Sequence, residues 1–466
     1  MNRRAFLASA LLPHVSAQNV TTRPNFLVVV VDDWGATDLG SGGSTFYRTP
    51  HLDQLATEGM RFTQAYSACT VCSPSRAALL TGKYPARLHL TDWIPGQDFP
   101  WARLRPPIWK KYLAADEQTI AEALKPLGYA TASIGKWHLT TADNDPALLP
   151  EKQGFDVNLA GTGRGQPPSY FAPYRIPTLN DGPRDEYLTD REVDEACRFI
   201  RANRNRPFLL YLPHHAVHTP LQAKPEKVAA YKANARQDAP QRNPVYAAMI
   251  ESLDEGIGTL MRTLGAEGLA ENTVVIVTGD NGGYLPATVT NLGLRNGKGS
   301  AYEGGVRVPF LIRYPPMVKR GSTCDVPVIG CDLAATVHDM AGLKPAGMDG
   351  VSLKPLLQGK KLRREAIFWH YPHYHLGSAR PYSAVRMKRH KLILFHEDNR
   401  VELYDLEADP EEKRDLAGST SSLSRKLEGT LRRWLAETGA QMPTPNPAYD
   451  PMKAAFTAAQ ARAKGL

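Results

Sequence analysis

The stretch at residues 67–82, SACTVCSPSRAALLTG, places Cys69 and Cys72 three positions apart. This C-x-x-C spacing occurs in redox motifs and in zinc sites. Only Cys72 is followed by a Ser-Pro-Ser-Arg turn that leads into an Ala/Leu run, so we expect it near a helix N-terminus. Backbone N–H groups attract anions there, and Arg76 follows one turn later. A nucleophile in this setting predicts attack on a tetrahedral anionic ester.

Acidic and amide side chains follow two predicted strands. Asp32 and Asp33 end the run NFLVVVVDDWG, and Asp280 and Asn281 follow the run NTVVIV. Hard oxygen ligands of this kind favour Ca²⁺ or Mg²⁺ over zinc. A purely structural role, in which Asp32 and Asp33 only cap the next segment, leaves the second cluster unexplained.

Basic and imidazole side chains follow other strand-like runs. Lys136 and His138 are two positions apart in YATASIGKWHL, so we expect their side chains on one face of a strand. His215 and His218 follow the run RPFLLYLP. A lone histidine is usually structural, but several near other chemically capable groups favour a role in proton transfer.

The elements that must position these residues alternate between strands and helices from about residue 24 to 345. The helical patterns fall at residues 53–59, 119–127, 188–201 and 245–264. Such alternation predicts an α/β fold in which helices sandwich a large, mostly parallel mixed sheet. Ligands of such sheets gather at the carboxyl ends of the strands. Pro- and Gly-rich stretches near 160–185 and 284–300 predict surface loops around that edge.

The pattern changes after residue 350. We predict a catalytic domain at residues 18–350 and a small α+β subdomain at 351–466, which carries an antiparallel sheet and an amphipathic helix. The motif HYPHYH supplies His373 and His375 as substrate contacts. In the loop TDWIPG, Trp93 could stack on a sugar or be buried in an interface.

The first residues, MNRRAFLASALLPHVSAQ, predict a signal peptide at 1–17. The paired arginines resemble a bacterial twin-arginine signal, although an ordinary secretion signal or a lipoprotein-like leader also fits. We therefore expect a periplasmic or secreted protein, and no later run predicts a membrane span. The five cysteines are too few and too unevenly spaced for a disulfide scaffold.

The chain of 466 residues has a formal net charge of +9. This modest excess suits a polyanionic substrate, but it is equally common in proteins without such a ligand. We see no clustered basic stripe in the sequence, so no nucleic-acid partner is expected.

The motif Cys72-Ser-Pro-Ser-Arg76, followed by AALLTG, resembles the signature of the type I sulfatases of the alkaline phosphatase superfamily. Matching motifs extend over about residues 24–315. They are Asp32-Asp33, Gly135-Lys136-Trp137-His138, residues 215–220, Asp280-Asn281-Gly282 and Gly297-Lys298-Gly299. The resemblance implies an alkaline-phosphatase-like fold and sulfatase activity, and it leaves Cys69 a packing role.

The resemblance also implies a cofactor set and roles for individual residues. A maturation enzyme would oxidise Cys72 to formylglycine, and His218 would protonate the leaving alcohol. A calcium ion is expected in preference to Mg²⁺. Its implied ligands are Asp32, Asp33, Cys72, Asp280 and Asn281; the other catalytic residues are Arg76, Lys136, His138, His218 and Lys298.

The substrate is less well specified by the sequence. Predicted export, the basic charge and the aromatic loops favour a sulfated carbohydrate, with Trp93, His215, His373 and His375 as binding residues. An aryl or steroid sulfate fits the same features. Two further functions are compatible with the sequence: a phosphonate or phosphodiester hydrolase of the superfamily, and a binding protein that has lost activity.

Overall fold

The computed structural model describes residues 23–234, 239–288, 290–375, 380–419 and 421–455. The predicted leader at 1–17 lies outside these residues. The strands are β1 (Asn25–Val31), β2 (Met60–Phe62), β3 (Ala65–Tyr66), β4 (Leu104–Arg105), β5 (Ala130–Ile134), β6 (Val157–Leu159), β7 (Phe208–Pro213), β8 (Thr273–Gly279), β9 (Phe310–Arg313), β10 (Ser322–Cys324), β11 (Val328–Ile329), β12 (Ile367–Tyr371), β13 (Tyr382–Met387), β14 (His390–Phe395), β15 (Val401–Asp405) and β16 (Thr444–Pro445).

Helices alternate with these strands. They are α1 (Pro50–Glu58), α2 (Cys72–Thr81), α3 (Pro85–Leu88), α4 (Ile120–Leu124), α5 (Leu188–Ala202), α6 (Pro225–Asn234), α7 (Pro244–Ala266), α8 (Leu285–Thr288), α9 (Glu303–Val306), α10 (Cys331–Met340), α11 (Lys354–Leu357) and α12 (Ser421–Glu437). The four predicted helical segments correspond to α1, to α4 with the 3₁₀ turn after it, to α5 and to α7.

The central sheet has eight strands in the order β10-β2-β9-β8-β1-β7-β5-β6. β9 is antiparallel to both of its neighbours, and the other pairs are parallel. The sheet is therefore mixed and mostly parallel, which confirms the predicted fold class.

Helices cover both faces of this sheet. Along β1, Val29 and Val31 lie in a core shared with α1, α5 and α7. Val28 and Val30 lie in the core on the opposite face, shared with α2, α4 and α10. Alternate side chains of one strand thus enter two cores, which explains its unbroken apolar sequence. Each such buried side chain contributes about 1.5–3 kcal/mol to folding.

Four neighbouring parallel strands, β8, β1, β7 and β5, end at the same edge of the sheet. In register, Val31 at the end of β1 lies beside Gly279 at the end of β8. On the other side Val30 pairs with Pro213, the last residue of β7. The polar residues that follow these strands are therefore brought together by the sheet itself.

The antiparallel sheet β12-β13-β14-β15 lies in the C-terminal part of the chain. Leu427 and Leu431, one turn apart on α12, pack into its core. The preceding α11 belongs elsewhere, because Leu356 and Leu357 lie in a core of the central sheet. The chain then returns to its N-terminal part, where β16 pairs with β4.

None of the helices in the described ranges combines the length and hydropathy needed to cross a membrane.

Candidate active site

Cys72 is the first residue of α2 and is buried at the floor of a cavity. Its Sγ lies 3.5 Å from Asp32 Oδ1 and 3.4 Å from Lys298 Nζ. Burial, with the nearby charge of Asp32, raises the pKa of the Cys72 thiol to about 12. At pH 7 the unmodified side chain is therefore a neutral thiol and a poor nucleophile.

The serines of the motif hold the helix start in place. Ser73 Oγ accepts a hydrogen bond from the N–H of Ile94 at 3.1 Å. Ser75 Oγ accepts from the N–H of Cys69 at 3.1 Å and donates to its carbonyl at 2.9 Å. Cys69 itself lies in the core of the C-terminal sheet and, like Cys72, is a free cysteine. The two cysteines thus have different surroundings, in keeping with the packing role expected for Cys69.

Arg76 is fully buried one turn into α2 and links three strand ends. Its Nε donates to Asp280 Oδ2 at 2.8 Å, and its Nη1 donates to the Lys136 carbonyl at 2.6 Å. Nη2 lies 3.7 Å from Asp32 Oδ2. A planar guanidinium can hold several acceptors at fixed angles, which an ammonium group cannot do.

The three carboxylates of the site differ in their charge surroundings. Burial opposes ionisation of Asp32, but Lys136 Nζ at 2.5 Å and Arg76 outweigh it and lower the pKa. Lys298 Nζ, 2.6 Å from Asp33 Oδ1, likewise outweighs burial and lowers the pKa of that carboxyl. Burial and the charge of Asp32 raise the pKa of Asp280 to about 7.

Lys136 and His138 do not lie on a strand, so the expectation of a shared strand face is wrong. β5 ends at Ile134, and Gly135 follows with φ +119°. A Cβ at Gly135 would lie 2.1 Å from the Pro213 carbonyl oxygen, so only glycine permits this turn. Both side chains still reach the site, Lys136 at Asp32 and His138 on the cavity wall.

His138 is a neutral histidine with one defined tautomer. Its Nε2 lies 2.6 Å from the carbonyl oxygen of Ile94, and a carbonyl only accepts, so Nε2 carries the proton. Burial and the charge of Lys136 lower its pKa well below the ordinary value. Nδ1 is buried without a hydrogen-bond partner among the described residues, which leaves it as an acceptor.

His218 and His215 have different environments. His218 Nε2 lies 3.6 Å from Asp33 Oδ2, Nδ1 lies 2.9 Å from the Thr219 carbonyl, and the ring lines the cavity. Burial lowers the pKa of His218 to about 4. His215 is instead held by Glu192 Oε1 at 2.6 Å and is not among the cavity-lining residues.

Glu192 is a residue that the sequence analysis missed. It also accepts from His214 Nδ1 at 2.6 Å, so one buried carboxylate fixes both histidines that follow β7. The available signal was its position on α5, four residues after the buried Leu188 and therefore on the same inward face. An acid on an apolar helix face implies a buried partner.

The residues present fit a hard cation. Ligand atoms of Asp32, Asp33, Cys72 and His218 all lie within 4.8 Å of one another. Asn281 donates through Nδ2 to Asp33 Oδ1 at 2.8 Å, while its Oδ1 is buried without a hydrogen-bond partner among the described residues. Two carboxylates and an unused amide oxygen are the donor types that Ca²⁺ and Mg²⁺ prefer.

This arrangement differs in part from the ligand set expected from the sequence. His218, expected to act on the leaving alcohol, has Nε2 within the candidate ligand group. Asp280, an expected ligand, is outside that group and is engaged by Arg76 and by the N–H of Asp33 at 3.2 Å.

The cavity above Cys72 has a volume of about 620 Å³. One wall is formed by Trp93 and the residues after it, and the other by residues 163–168. Lys298 and His375 complete the lining on the side of the C-terminal sheet. A cavity of this size accommodates a sugar-sized ligand.

The four expected substrate-binding residues divide into two pairs. Trp93 and His375 line the cavity, and the indole Nε1 of Trp93 has no hydrogen-bond partner among the described residues. His373 is buried behind the wall, where its Nε2 lies 2.8 Å from Thr91 Oγ1. His215 is buried beside Glu192.

Comparison with known proteins gives a consistent result. The chain matches the family model described as Sulfatase over residues 24–343, and that of N-sulphoglucosamine sulphohydrolase, C-terminal, over residues 296–440. It is 33% identical to arylsulfatase A of Homo sapiens over 484 residues, covering 91% of this chain and 89% of that protein. It is 30% identical to an ulvan-active sulfatase of Formosa agariphila over 455 residues, covering 91% and 83%.

Among solved structures, Ps i-CgsB in complex with k-i-k-neocarrahexaose matches with a TM-score of 0.77 and 28% identity, over 95% of this chain and 99% of that chain.

Proposed function

The chain belongs to the sulfatase family and is a sulfuric ester hydrolase, and from this premise we propose that it hydrolyses sulfate monoesters of sulfated carbohydrates. The reaction consumes water: R–O–SO₃⁻ and H₂O give R–OH and HSO₄⁻. The observation that carries the proposal is Cys72 at the N-terminus of α2, on the cavity floor and between Asp32 and Lys298.

We propose that Cys72 acts after oxidation to formylglycine by a maturation enzyme. Hydrated formylglycine carries two hydroxyl groups, of which one can attack sulfur and the other can lose its proton to expel sulfate. The buried thiol supports this proposal, because a pKa of about 12 leaves almost no thiolate at pH 7.

The cations of the site suit a sulfate group. Asp32, Asp33 and Asp280 are matched in number by Arg76, Lys136 and Lys298, so these six side chains sum to zero charge when all are ionised. A divalent cation held by Asp32, Asp33 and Asn281 would add a charge of +2 next to the anionic ester. Lys136 and Lys298 would then hold sulfate oxygens as negative charge develops on them.

His218 is the proposed proton donor to the leaving alcohol. Because its Nδ1–H is directed at the Thr219 carbonyl, a proton has to enter and leave at Nε2, the ring atom that faces the site. A pKa of about 4 means that the ring is neutral at rest at pH 7. His218 must therefore receive a proton before it can donate one.

The calcium proposal rests on the donor atoms. Ca²⁺ accepts six to eight oxygen ligands in flexible geometry, whereas Mg²⁺ demands a near-ideal octahedron. The site offers carboxylates from Asp32 and Asp33 together with the amide oxygen of Asn281. When bound, the ion would polarise the sulfate ester as a Lewis acid.

A carbohydrate substrate is supported by the cavity and by the relatives. Arg164 lies on the cavity wall, is exposed, and forms no ion pair with a described residue. A substrate with a second anionic group would place that group beside it. Gln97 and Gln166 add amide groups, and Trp93 adds an aromatic side chain to the lining. One relative is named as ulvan-active, and one similar structure holds k-i-k-neocarrahexaose.

The test is sulfate release from a panel of sulfated mono- and oligosaccharides, with Cys72→Ala as the control. We expect release from one sugar and one position, and none from the variant. Peptide mass spectrometry of residues 67–82 reports whether Cys72 is converted. Converted enzyme that releases no sulfate from any sugar would contradict the carbohydrate assignment. Turnover of an aryl sulfate or of a phosphonate monoester would then identify the substrate class in its place.

Calcium is tested separately by chelation. Treatment with EGTA should remove sulfatase activity and lower the melting temperature, because an ion that binds only the folded state at 100 times its Kd stabilises that state by about 2.7 kcal/mol. Ca²⁺ should restore both properties. If Mg²⁺ restores them equally well in the presence of EGTA, the choice of ion is wrong.

Export is proposed from the leader at residues 1–17 and is tested by the N-terminus of the mature protein. We expect cleavage after Ala17 and recovery from the periplasm or the medium. An intact N-terminus in the cytoplasm would contradict it.

A further inference from the structure

A basic segment leads away from the cavity. Residues 99–115 contain Arg103, Arg105, Lys110 and Lys111 and no acidic residue. The two arginines and Lys111 are exposed, and Lys110 is half-buried. None of the four side chains forms an ion pair with a carboxylate of the described residues. We call this cluster the basic strip; the sequence analysis, which looked for a basic stripe of the kind that binds nucleic acid, did not identify it.

The basic strip is joined to the cavity wall. The ring of Trp109 packs under the turn at Gly96, where an added Cβ would lie 2.8 Å from it. Gly96 stands between Pro95 and Gln97, which both line the cavity. The strip therefore adjoins the cavity wall at Trp109.

Residues of the C-terminal part of the chain contact the strip and hold its backbone in place. The hydroxyl of Tyr374 accepts a hydrogen bond from the N–H of Leu104 at 3.0 Å and so fixes the backbone between the two arginines. β4 is also paired with β16, and the ring of Trp109 lies 5.7 Å from that of His373. Tyr374 is the residue before His375, which lines the cavity. The backbone of the strip is thus ordered by these contacts, and it lies beside the candidate active site.

Four neighbouring cations that form no ion pair with a described residue repel one another, and only Lys111 is close enough to a described carboxylate, that of Asp92, to affect its pKa. Arg103 and Arg105 are two apart, and Lys111 is held over the Trp109 ring at 5.5 Å from its centroid. Water screens these charges in the free protein, and a flexible polyanion would release that repulsion on binding. The basic strip has the character of a binding surface for a polyanion.

We propose that the basic strip binds the anionic polysaccharide chain that extends from the sugar in the cavity, so that the enzyme acts on sulfated polymers in preference to their small fragments. This inference rests on the proposed function and extends it from the single sulfated sugar to the chain around it. An anionic membrane is the less suitable partner. Ile108 at 91% and Tyr112 at 37% exposure are the exposed large apolar side chains of residues 99–115, and two such side chains are less than the broad apolar face that interfacial binding needs.

The first experiment measures binding without turnover. Migration in native gels that contain dextran sulfate is compared with migration in gels that contain neutral dextran. The strip variant carries Arg103→Gln, Arg105→Gln, Lys110→Gln and Lys111→Gln. Because each exposed charge pair contributes modestly and the variant removes four charges, we expect its Kd for dextran sulfate to rise about 10-fold or more.

A matched control removes the same charge elsewhere. The control variant carries Lys344→Gln, Lys360→Gln, Lys361→Gln and Arg363→Gln, four exposed residues that form no ion pair with a described residue. Its Kd should stay within about twofold of wild type. Equal weakening of both variants would overturn the proposal, because net charge alone would then explain the binding.

The second experiment measures turnover on a sulfated polysaccharide and on its own disaccharide, chosen from the substrates that wild type cleaves. The strip variant should lose about 10-fold in kcat/KM on the polymer and less than about twofold on the disaccharide. Equal losses on both substrates would overturn the proposal. If wild type cleaves no sulfated polysaccharide or sugar of the panel, the proposed function fails, and the gel comparison alone decides whether the strip binds a polyanion.

Further variants control for misfolding and for the loss of side chains other than their charge. If the fourfold variant does not fold by circular dichroism, Lys110→Gln with Lys111→Gln replaces it, with an expected rise in Kd of about threefold. A charge-keeping variant, Arg103→Lys with Lys110→Arg, should bind like wild type. Wild type is also tested for binding to phosphatidylserine vesicles. If wild type binds the vesicles but not dextran sulfate, and the strip variant does not bind the vesicles, the proposal is overturned in favour of a membrane.

Discussion

Two buried ionic clusters of similar composition differ in their access to solvent: one borders the cavity and the other is enclosed by the protein. The open centre consists of Asp32, Asp33, Asp280, Arg76, Lys136 and Lys298 at the strand ends. The closed cluster consists of Glu303, Glu412, Lys391, Tyr66 and Arg386, and it lies between the central sheet and the C-terminal sheet. Lys298 is 9% exposed on a cavity wall, whereas Lys391 is 0% exposed.

The comparison shows that residue type does not separate a functional cluster from a structural one. In the closed cluster the ammonium group of Lys391 lies 3.0 Å from Glu303 and 3.1 Å from Glu412, so its charge is shared between two internal partners. In the open centre Asn281 keeps an unused oxygen, and Lys298 faces space that a ligand can enter. Access to the cavity is what distinguishes the candidate site from the closed cluster.

Breaking the closed cluster should have the largest effect on stability. Lys391→Met leaves two buried carboxylates without their cation, and loss of one partner of a buried pair costs about 3–5 kcal/mol. We expect the free energy of unfolding in urea to fall by this amount. The enzyme that remains folded should keep its turnover within about threefold. As a control, adding Glu303→Gln and Glu412→Gln should recover part of the loss. A variant that is stable but inactive would show that the cluster acts on the site.

Breaking the open centre should affect activity instead. Lys298→Ala removes a cation 3.4 Å from Cys72 Sγ, and loss of one such electrostatic group typically costs about 10²–10³-fold in kcat. The free energy of unfolding of Lys298→Ala should fall by less than that of Lys391→Met, because water can enter the cavity to solvate Asp33. Sulfate release and urea unfolding on the same sample test both parts. A larger loss of stability than of activity would contradict the distinction.

The sequence predicted that the acids of the open centre lie close together, because the ends of buried strands can be recognised in the sequence. Asp32 follows a continuous β-branched run and Asp280 follows a second one, so the rule for parallel sheets places them together. The prediction that Lys136 and His138 share a strand face was wrong, because β5 ends at Ile134 and Gly135 turns the chain before Lys136. A glycine in a strand-like run permits either continuation or a turn.

The closed cluster and the cavity walls could not be predicted in the same way. Glu303 and Lys391 are 88 positions apart and meet only when the two sheets pack together. Glu192 is similarly joined to His214 by tertiary packing. Such contacts depend on how whole layers dock, and a local pattern of residues carries little information about that docking.

The smallest expected effect concerns the pH dependence of the closed cluster. Burial, together with repulsion from Glu303, raises the pKa of Glu412 from its ordinary 4.5 to about 7. In this interval the folded state holds a proton that the unfolded state has released, so stability must fall as pH rises from about 4.5 to 7. The contribution is at most about 3 kcal/mol.

Glu412→Gln removes this proton equilibrium while it keeps the size of the side chain and an oxygen toward Lys391. The difference in unfolding free energy, variant minus wild type, should therefore become more positive as pH rises from about 4.5 to 7, and it should be flat below about 4.5 apart from the titration of Glu303. Urea unfolding at several pH values measures it, with Glu411→Gln, at a partly exposed neighbour that pairs with Lys413, as the matched control. A flat difference across the whole interval would mean that Lys391 keeps both carboxylates ionised, and the closed cluster would then resemble the open centre in charge as well as in composition.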